Sequence, residues 1–545
     1  MSARTVDVLV IGGGVTGAGV LRDLARRGLS ALLVDRSDFG TGASGRFHGL
    51  LHSGARYVVK DIDAARECIS ENRILRRIAP ACIEDIRAFF VATPADPDDY
   101  VEGFEAACEA AGVDCAEIPL RVALRREPAL NPQVRRVFEV PDGSIDAWRL
   151  IAANIADARA HGGEAWPYQR VTGMTLAAGA IRSVELRDER SGSITSVTPR
   201  VVVSSAGAWA AGVASLVGVS IPMQLSKGSM LIYSQRMSDT SLTRCRIPTD
   251  GDAIAPVHTV SILGATSILV DSPDRIDVDR DEVEALIREG EMLVPALRRM
   301  RILRAYAGVR PLYGGSDADE PDATGGRQTS RNHVVIDHGA DGVANFVSVI
   351  GGKLTTFRLM AQDTADVVCA KLGVTASCTT ADAALLGQAD GRTYWLGHRF
   401  AEHEAAGGGD ADLVCECELV TRETVDVFLH EHPDCSIDDI RRGTRLGMGP
   451  CQGAFCAFRM AGILAQDTGV TDPAGLAARA ERAILGFLAE RFRGITPIAA
   501  GFQLQEMWMT AGIYAAILGE AALSGLDGVG GDGASKGDEA SHGQR

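Results

Sequence analysis

Three glycines, Gly12-x-Gly14-x-x-Gly17, limit what this chain can fold into because of what stands on either side of them. Before them, Val6–Ile11 is a short β-branched run that predicts a buried strand. After them, Val15–Arg27 sets Leu21, Leu24 and Ala25 on one helical face, with Gly28 as the expected C-cap. Ala31–Val34 predicts a second buried strand ending at Asp35, which completes a β-α-β opening. The glycines permit a tight turn, let backbone approach a pyrophosphate and allow the helix to pack on the strand. The helix N-terminus adds unpaired N–H groups for phosphate, and an acid about 20 residues on is placed to accept ribose hydroxyls. A dinucleotide site follows, with Gly12, Gly13, Gly14, Thr16, Gly17, Asp35 and Arg36 as its candidate residues. The motif by itself does not separate FAD from NAD.

The loop from Thr41 to Tyr57 is glycine-rich and holds two histidines and two arginines, more than a connection requires. It suits backbone wrapped closely around a large flat cofactor, with Thr41, Gly42, Ala43, Ser44, Gly49, Leu50 and Leu51 as candidate contacts. Two later runs predict strands of the same sheet. Arg200–Ser205 is closed by Ala206-Gly207, and Phe346–Ile350 is closed by Gly351-Gly352 ahead of Lys353, Leu354 and Thr355. These closing residues complete the cofactor set. The intervening stretches, roughly 80–200 and 210–340, alternate on their own account and are expected to build a second domain over the ligand.

Beyond Leu372 the pattern changes. Residues about 381–410 are rich in Ala, Gly and Asp and predict a linker, about 411–465 form a compact cysteine-bearing segment, and apolar helical stretches run to about 525. The last residues, about 526–545, predict a disordered tail. Val6–Ile11 meets the glycines with no basic leader or cleavage site before it, and Ala511–Leu526, broken by Glu520, is shorter than the about 20 residues of a membrane span. A soluble, cytoplasmic chain is expected, any membrane contact coming through a partner subunit. The net charge of −16 argues against a sequence-independent nucleic-acid binder, yet a few buried arginines still make a pocket for a small anion.

Of twelve cysteines, eight stand singly and read as small buried hydrophobes. The other four form two close pairs, Cys415-x-Cys417 and Cys451-x4-Cys456, with 33 residues between them. Paired thiolates on loops suit zinc or an iron–sulfur cluster, and the tight first pair tilts against zinc, whose ribbons favour two intervening residues. Gly443, Gly447, Gly449 and Gly453 fit loops that carry backbone N–H groups to the sulfurs.

Several blocks resemble one family. Ile11-Gly-Gly-Gly-Val-Thr-Gly-Ala-Gly19, Gly49-Leu-Leu-His-Ser-Gly-Ala-Arg-Tyr57, Glu67-Cys-Ile-Ser-Glu-Asn-Arg-Ile-Leu75, Ala305-Tyr-Ala-Gly-Val-Arg-Pro-Leu312 and Gly351-Gly-Lys-Leu-Thr-Thr-Phe-Arg358 are similar to the FAD-dependent glycerol-3-phosphate dehydrogenases. The cysteine segment resembles the bacterioferritin-associated-ferredoxin-like module, in which four such cysteines bind a 2Fe–2S cluster. The resemblance implies an α/β fold: a Rossmann-like FAD-binding domain of the glutathione-reductase/D-amino-acid-oxidase type, interleaved with an α+β substrate domain and followed by a small C-terminal helical 2Fe–2S-binding domain. Within residues 1–380, the FAD-binding segments are set at about 1–80, 200–212 and 300–375, and the substrate domain at about 81–199 and 213–300.

The implied activity is oxidation of sn-glycerol 3-phosphate to dihydroxyacetone phosphate by hydride transfer to FAD. Electrons would leave singly through the 2Fe–2S cluster to partner subunits, one of them iron–sulfur and membrane-bound, and so to a quinone. The chain would then sit at the inner face of the membrane through those partners. Oxidation at C2 needs a dianion pocket, and guanidinium forks are its natural lining. Arg310 and Arg56, the latter beside Tyr57, match positions the family uses near its substrate, and Lys353 matches the lysine close to flavin and substrate. Lys227 and Thr266 are second-rank candidates. The proton acceptor stays open between His52 and His258. Two rival readings remain: an amino-acid or opine dehydrogenase with the same cysteine module, and a non-catalytic electron-transfer protein.

Overall fold

Strand β1 (Ala3–Ile11) runs parallel to β2 (Ala31–Val34) on one side and to Ile194–Ser204 on the other. A strand covered on both faces is apolar throughout, and Val8, Leu9 and Val10 are all fully buried. Helix α1 (Val15–Arg26) crosses between β1 and β2 and packs on one face of the sheet with the helices Ala147–Ala160 and Phe357–Leu372. Gly28, at φ +82, follows the last helical turn in the left-handed region expected of a residue that ends a helix. The full order across this eight-stranded sheet is 169–177, 180–188, 194–204, β1, β2, 164–166, with Phe346–Gly351 parallel to Ile194–Ser204 and His333–Asp337 antiparallel beside it. The computed structural model describes residues 3–314, 326, 329, 331–388, 390–408, 412–466 and 472–518.

A second, nine-stranded sheet lies over this layer. Its spine is the antiparallel pair Met223–Tyr233 and Ile302–Tyr313, bonded along nearly their whole length, and it extends through 260–264, 253–257, 241–244, 88–92 and 136–140. Aromatic side chains of Phe90, Phe104 and Phe138 fill one of its faces, and helix Arg280–Gly290 closes the other.

Two of the expected boundaries move. Residues 164–199 are expected in the second domain, but strands 164–166 and 194–204 pair with β2 and β1. The expected strand Arg200–Ser205 begins instead at Ile194, because its outer half is extended by pairing with Ala180–Asp188. Residues 302–313 are expected in the FAD-binding part, but pair with Met223–Tyr233. Neither shift is visible locally, since a strand's sequence records its burial and not its neighbour. The expected linker holds a helix, Leu396–Ala405, and is fastened to the body where Leu385 N–H donates to Ile78 O and Tyr394 N–H to Ile83 O, at 2.8 Å each.

The C-terminal part is a hairpin, Leu413–Cys415 with Val420–Thr421, followed by helices 422–431, 437–444, 456–466, 473–492 and 501–518 around a core of their own. Arg442 Nε donates to Asp38 Oδ2 at 2.6 Å and Arg445 Nη1 to Asp146 Oδ2 at 3.4 Å, which dock it on the nucleotide-binding body. Among the described residues, no helix is long and apolar enough to cross a membrane. The expected tail, 526–545, lies outside the described residues.

Candidate functional site

The turn between β1 and α1 leaves no room for side chains. Gly12 sits at φ +107, where an added Cβ would come within 2.6 Å of Ser205 O, and a Cβ on Gly17 would meet Gly12 O at 1.9 Å. Gly14 caps α1 without a side-chain hydrogen bond, and no acid occupies the first turn. Val15 N–H donates to Ser44 Oγ at 3.0 Å, and the positive end of the helix carries no opposing charge against an anion. A cavity of about 810 Å³ opens at this turn. Gly12, Gly14, Thr16, Asp35, Arg36, Thr41, Gly42, Ala43, Ser44, Leu50, Ala206, Gly207, Gly351, Gly352, Lys353, Leu354 and Thr355 line it. Gly13, Gly17, Gly49 and Leu51, also expected to bind cofactor, stand outside the lining. Gly13 N–H donates to Asp35 Oδ2 at 2.7 Å, Gly17 packs behind the turn, and Leu51 is committed to a small sheet with Gly143. Asp35 also accepts Ser37 N–H at 2.9 Å, and its burial raises the carboxyl pKa. Part of its accepting capacity thus holds the loop, and the rest is open to a ligand.

The same cavity gathers the charged and ionisable candidates. Arg310 reaches it from strand 302–313, its Nη2 donating to Thr266 O at 3.0 Å and its Nη1 to Ser226 Oγ at 3.3 Å. Burial first, and then the neighbouring Arg331 charge, push its pKa down. Lys353 follows two glycines at φ +81 and +76, and its Nζ is buried with no hydrogen-bond partner among the described residues, 5.4 Å from the Tyr57 ring centre. His52 lines the cavity with its Nδ1 3.5 Å from Asp142 Oδ2 and its ring edge-on to His48 and Tyr57. Burial drives the His48 imidazole well below its ordinary value, so that it is neutral.

Four candidates lie elsewhere. Arg56 stands outside the lining and gives its charge to buried Asp252, Nη2 to Oδ1 2.7 Å. Lys227 is bound to Glu282 at 2.8 Å and to Asp277 O at 2.7 Å, and Thr266 Oγ1 donates to the same glutamate at 3.0 Å. His258, one of the two expected proton acceptors, occupies the two-residue turn between strands 253–257 and 260–264 at φ 53. Its ring lies against Tyr394 at 4.1 Å, and burial among arginines keeps it neutral. Position therefore separates the two histidines: only His52 faces the cavity.

Several lining residues had no signal in the sequence. Arg331 joins the charged group, Gln169, Arg170 and Val171 line the cavity near the glycine turn's strand, and Trp209 stacks under the expected Arg36 at 4.4 Å. Nor does any local pattern hint that Asp142 would meet a histidine some ninety residues before it.

In the C-terminal domain the four paired cysteines come together two by two across the motif. Cys417 donates to Cys451 at 3.6 Å, and Cys456 hydrogen-bonds Cys415. The partner's hydrogen bond is the first cause that lowers Cys415 to about 7 and Cys451 to about 6. Gly447 N–H points at Cys415 Sγ at 3.5 Å, and the N–H groups of Gly453, Ala454 and Phe455 serve Cys451. Among the described residues, no three His, Cys, Asp or Glu side chains converge as ligands of a single metal ion. All twelve cysteines are free, and five of the eight scattered ones are buried.

Residues 7–362 match the family described as DAO, FAD dependent oxidoreductase. Over 538 residues, 95% of this chain and 97% of the relative, the sequence is 41% identical to an anaerobic glycerol-3-phosphate dehydrogenase subunit of Escherichia coli (strain K12). The chain belongs to this family of FAD-dependent oxidoreductases. A further relative, an anaerobic glycerol-3-phosphate dehydrogenase subunit of Haloferax volcanii, is 38% identical over 495 residues, 85% of this chain and 83% of that one. Among solved structures, the glycerol-3-phosphate dehydrogenase from Bacillus halodurans complexed with FAD shares the fold at a TM-score of 0.62. It covers 91% of this chain and 96% of its own at 19% identity.

The cavity fits the cofactor of this family. Its glycine turn would be blocked by any Cβ at Gly12, its helix end carries no acid, and the ammonium group inside it has no hydrogen-bond partner among the described residues. Its volume is within the range of small-molecule sites, roughly 300–1,000 Å³.

Proposed function

We propose that this chain oxidises sn-glycerol 3-phosphate to dihydroxyacetone phosphate. The observation that carries this reading is the cationic group of Arg310, Arg331 and Lys353 in the cavity that begins at the glycine turn, with the Lys353 ammonium unpartnered among the described residues. Arg310 and Arg331 present forks for the phosphate dianion, and relief of their mutual repulsion favours its binding. Tyr57 and Lys353 form the adjoining wall, where the ammonium balances negative charge that develops during reaction. His52 takes the C2 hydroxyl proton on Nε2, its Nδ1 side facing Asp142, and Asp142 is fixed in turn by Ser53 N–H at 2.6 Å. FAD, held by the residues around Gly12, Asp35 and Ser44, supplies the two-electron acceptor for the hydrogen that leaves C2.

The reading extends to the cysteines. Cys415, Cys417, Cys451 and Cys456 would hold a 2Fe–2S cluster, which supplies one-electron exit. Four thiols and converging backbone N–H groups support it. Electrons would pass to partner subunits, and through them to a quinone, with this chain on the cytoplasmic side of the membrane. The names of the relatives, which are those of subunits, support such partners.

An anaerobic visible spectrum of the purified protein tests the proposal. Bleaching of the flavin band on addition of glycerol 3-phosphate is expected, with loss of a broad iron–sulfur shoulder. A flavin that stays oxidised with glycerol 3-phosphate yet bleaches with dithionite refutes the substrate.

A further inference from the structure

A second cavity, of about 590 Å³, opens where the nucleotide-binding body, the nine-stranded sheet and the C-terminal helices meet. Thr41, Arg46, Phe47, Ile276 and Arg493 line both cavities and so form the partition between them. One wall of the second is apolar, with Trp148, Ile232, Val260 and Ile262. The other carries six arginines against four carboxylates.

Three of those arginines are neutralised. Arg441 pairs with Asp438 at 2.8 Å, Arg442 with Asp38 at 2.6 Å and Arg445 with Glu418 at 3.0 Å. The other three are not. Arg304 and Arg493 share Glu490, at 3.1 and 3.4 Å, and Arg46 makes no ion pair or side-chain hydrogen bond among the described residues. Among the described residues, the Nε of Arg304 is buried with nothing to donate to, as is that of Arg441. Burial of an uncompensated guanidinium is unfavourable. Arg493 stands half out in solvent at the rim, but Arg46 and Arg304 are largely buried, and Glu490 is the carboxylate that faces both.

We propose that this cavity binds a small organic anion. A flat apolar body lies against Trp148 and Ile262, and one phosphate, sulfonate or carboxylate group is held by Arg46, Arg304 and Arg493. An apolar wall with a few convergent polar groups is how small-molecule sites are built, and the guanidinium fork matches the geometry of an oxyanion. The site is distinct from the glycine-turn cavity, and its existence does not depend on the substrate proposed for that cavity.

The test uses the full chain loaded with FAD and the fluorescent anion anilinonaphthalene sulfonate as probe. A single saturable rise in emission is expected. Arg304→Gln and Ile262→Trp, each checked for native flavin absorbance, should weaken binding at least tenfold, by loss of a fork and by filling the apolar wall. On the unaltered protein, the uncharged parent anilinonaphthalene should bind at least tenfold more weakly, a comparison that needs no variant to fold. Saturating glycerol 3-phosphate should leave the probe in place. Absence of saturable binding, equal binding of the uncharged parent, unchanged affinity in folded variants, or displacement by glycerol 3-phosphate each overturns the proposal.

Discussion

Arg310 brings its charge into the cavity with hydroxyls and a carbonyl beside it and, among the described residues, no carboxylate. Its planar fork is held in one orientation by Ser226 and Thr266, which a lysine would not reproduce. Arg310→Lys should therefore raise KM for glycerol 3-phosphate by about 10–100-fold, roughly 1.4–2.7 kcal/mol, with a smaller change in kcat, measurable by steady-state dye reduction. An unaltered KM would remove Arg310 from the phosphate site.

Asp142 makes a pH prediction at the same scale. Burial works to raise its carboxyl, but His52 and Ser53 more than reverse this, and the net shift is downward. A carboxyl depressed in the folded state gives stability that is fully present above its unfolded value, near 4, and lost as pH falls through the lower folded value. Melting temperature should thus fall on acidification below about pH 4, more steeply in the parent than in Asp142→Asn. Parallel curves would show that Asp142 takes no part.

At the scale of elements, α1 is fixed to helix 147–160 by more than apolar packing. Arg22 Nε donates to Asp157 Oδ2 at 2.7 Å, both side chains almost wholly buried, and Arg22 Nη2 reaches Ala383 O at 2.7 Å in the segment after residue 380. One charged side chain thus joins three parts of the chain behind the glycine turn. Asp157→Ala leaves that guanidinium buried and unpaired, which costs roughly 3–5 kcal/mol. The midpoint of urea unfolding should fall accordingly with the slope unchanged. Arg358 does the same for helix 62–78, donating to Glu71 at 2.8 and 2.6 Å. In the family-like block Gly351–Arg358, the first residues line the cavity and the last one holds a neighbouring helix in place.

Across the whole molecule, the C-terminal domain is docked through charge. Arg442 meets Asp38 in the cofactor loop, Asp439 accepts from Tyr168, and Ala305 N–H donates to Gly494 O at 2.9 Å. Arg493, from this region, lines the glycine-turn cavity, so the cysteine-bearing part and the proposed flavin site share a wall. If the four thiols hold a cluster, Cys456→Ser should abolish iron and acid-labile sulfide in the purified protein and leave FAD content and its bleaching by glycerol 3-phosphate intact. Undiminished iron would overturn the ligand assignment.

What the sequence alone determined is local. β1, the glycine turn, α1 and β2 follow from adjacent residues, because period, β-branching and the steric demands of a turn act over a few positions. The cysteine pairs are legible for the same reason. Tertiary structure decided what depends on partners far along the chain. It brought Arg310 and Arg331 to one cavity, joined His52 to Asp142, paired Arg56 with Asp252 and Lys227 with Glu282, and put His258 in a hairpin turn. An arginine reads the same in sequence whether a carboxylate waits for it or not. Only the fold decides whether its charge is spent on the protein or left for a ligand.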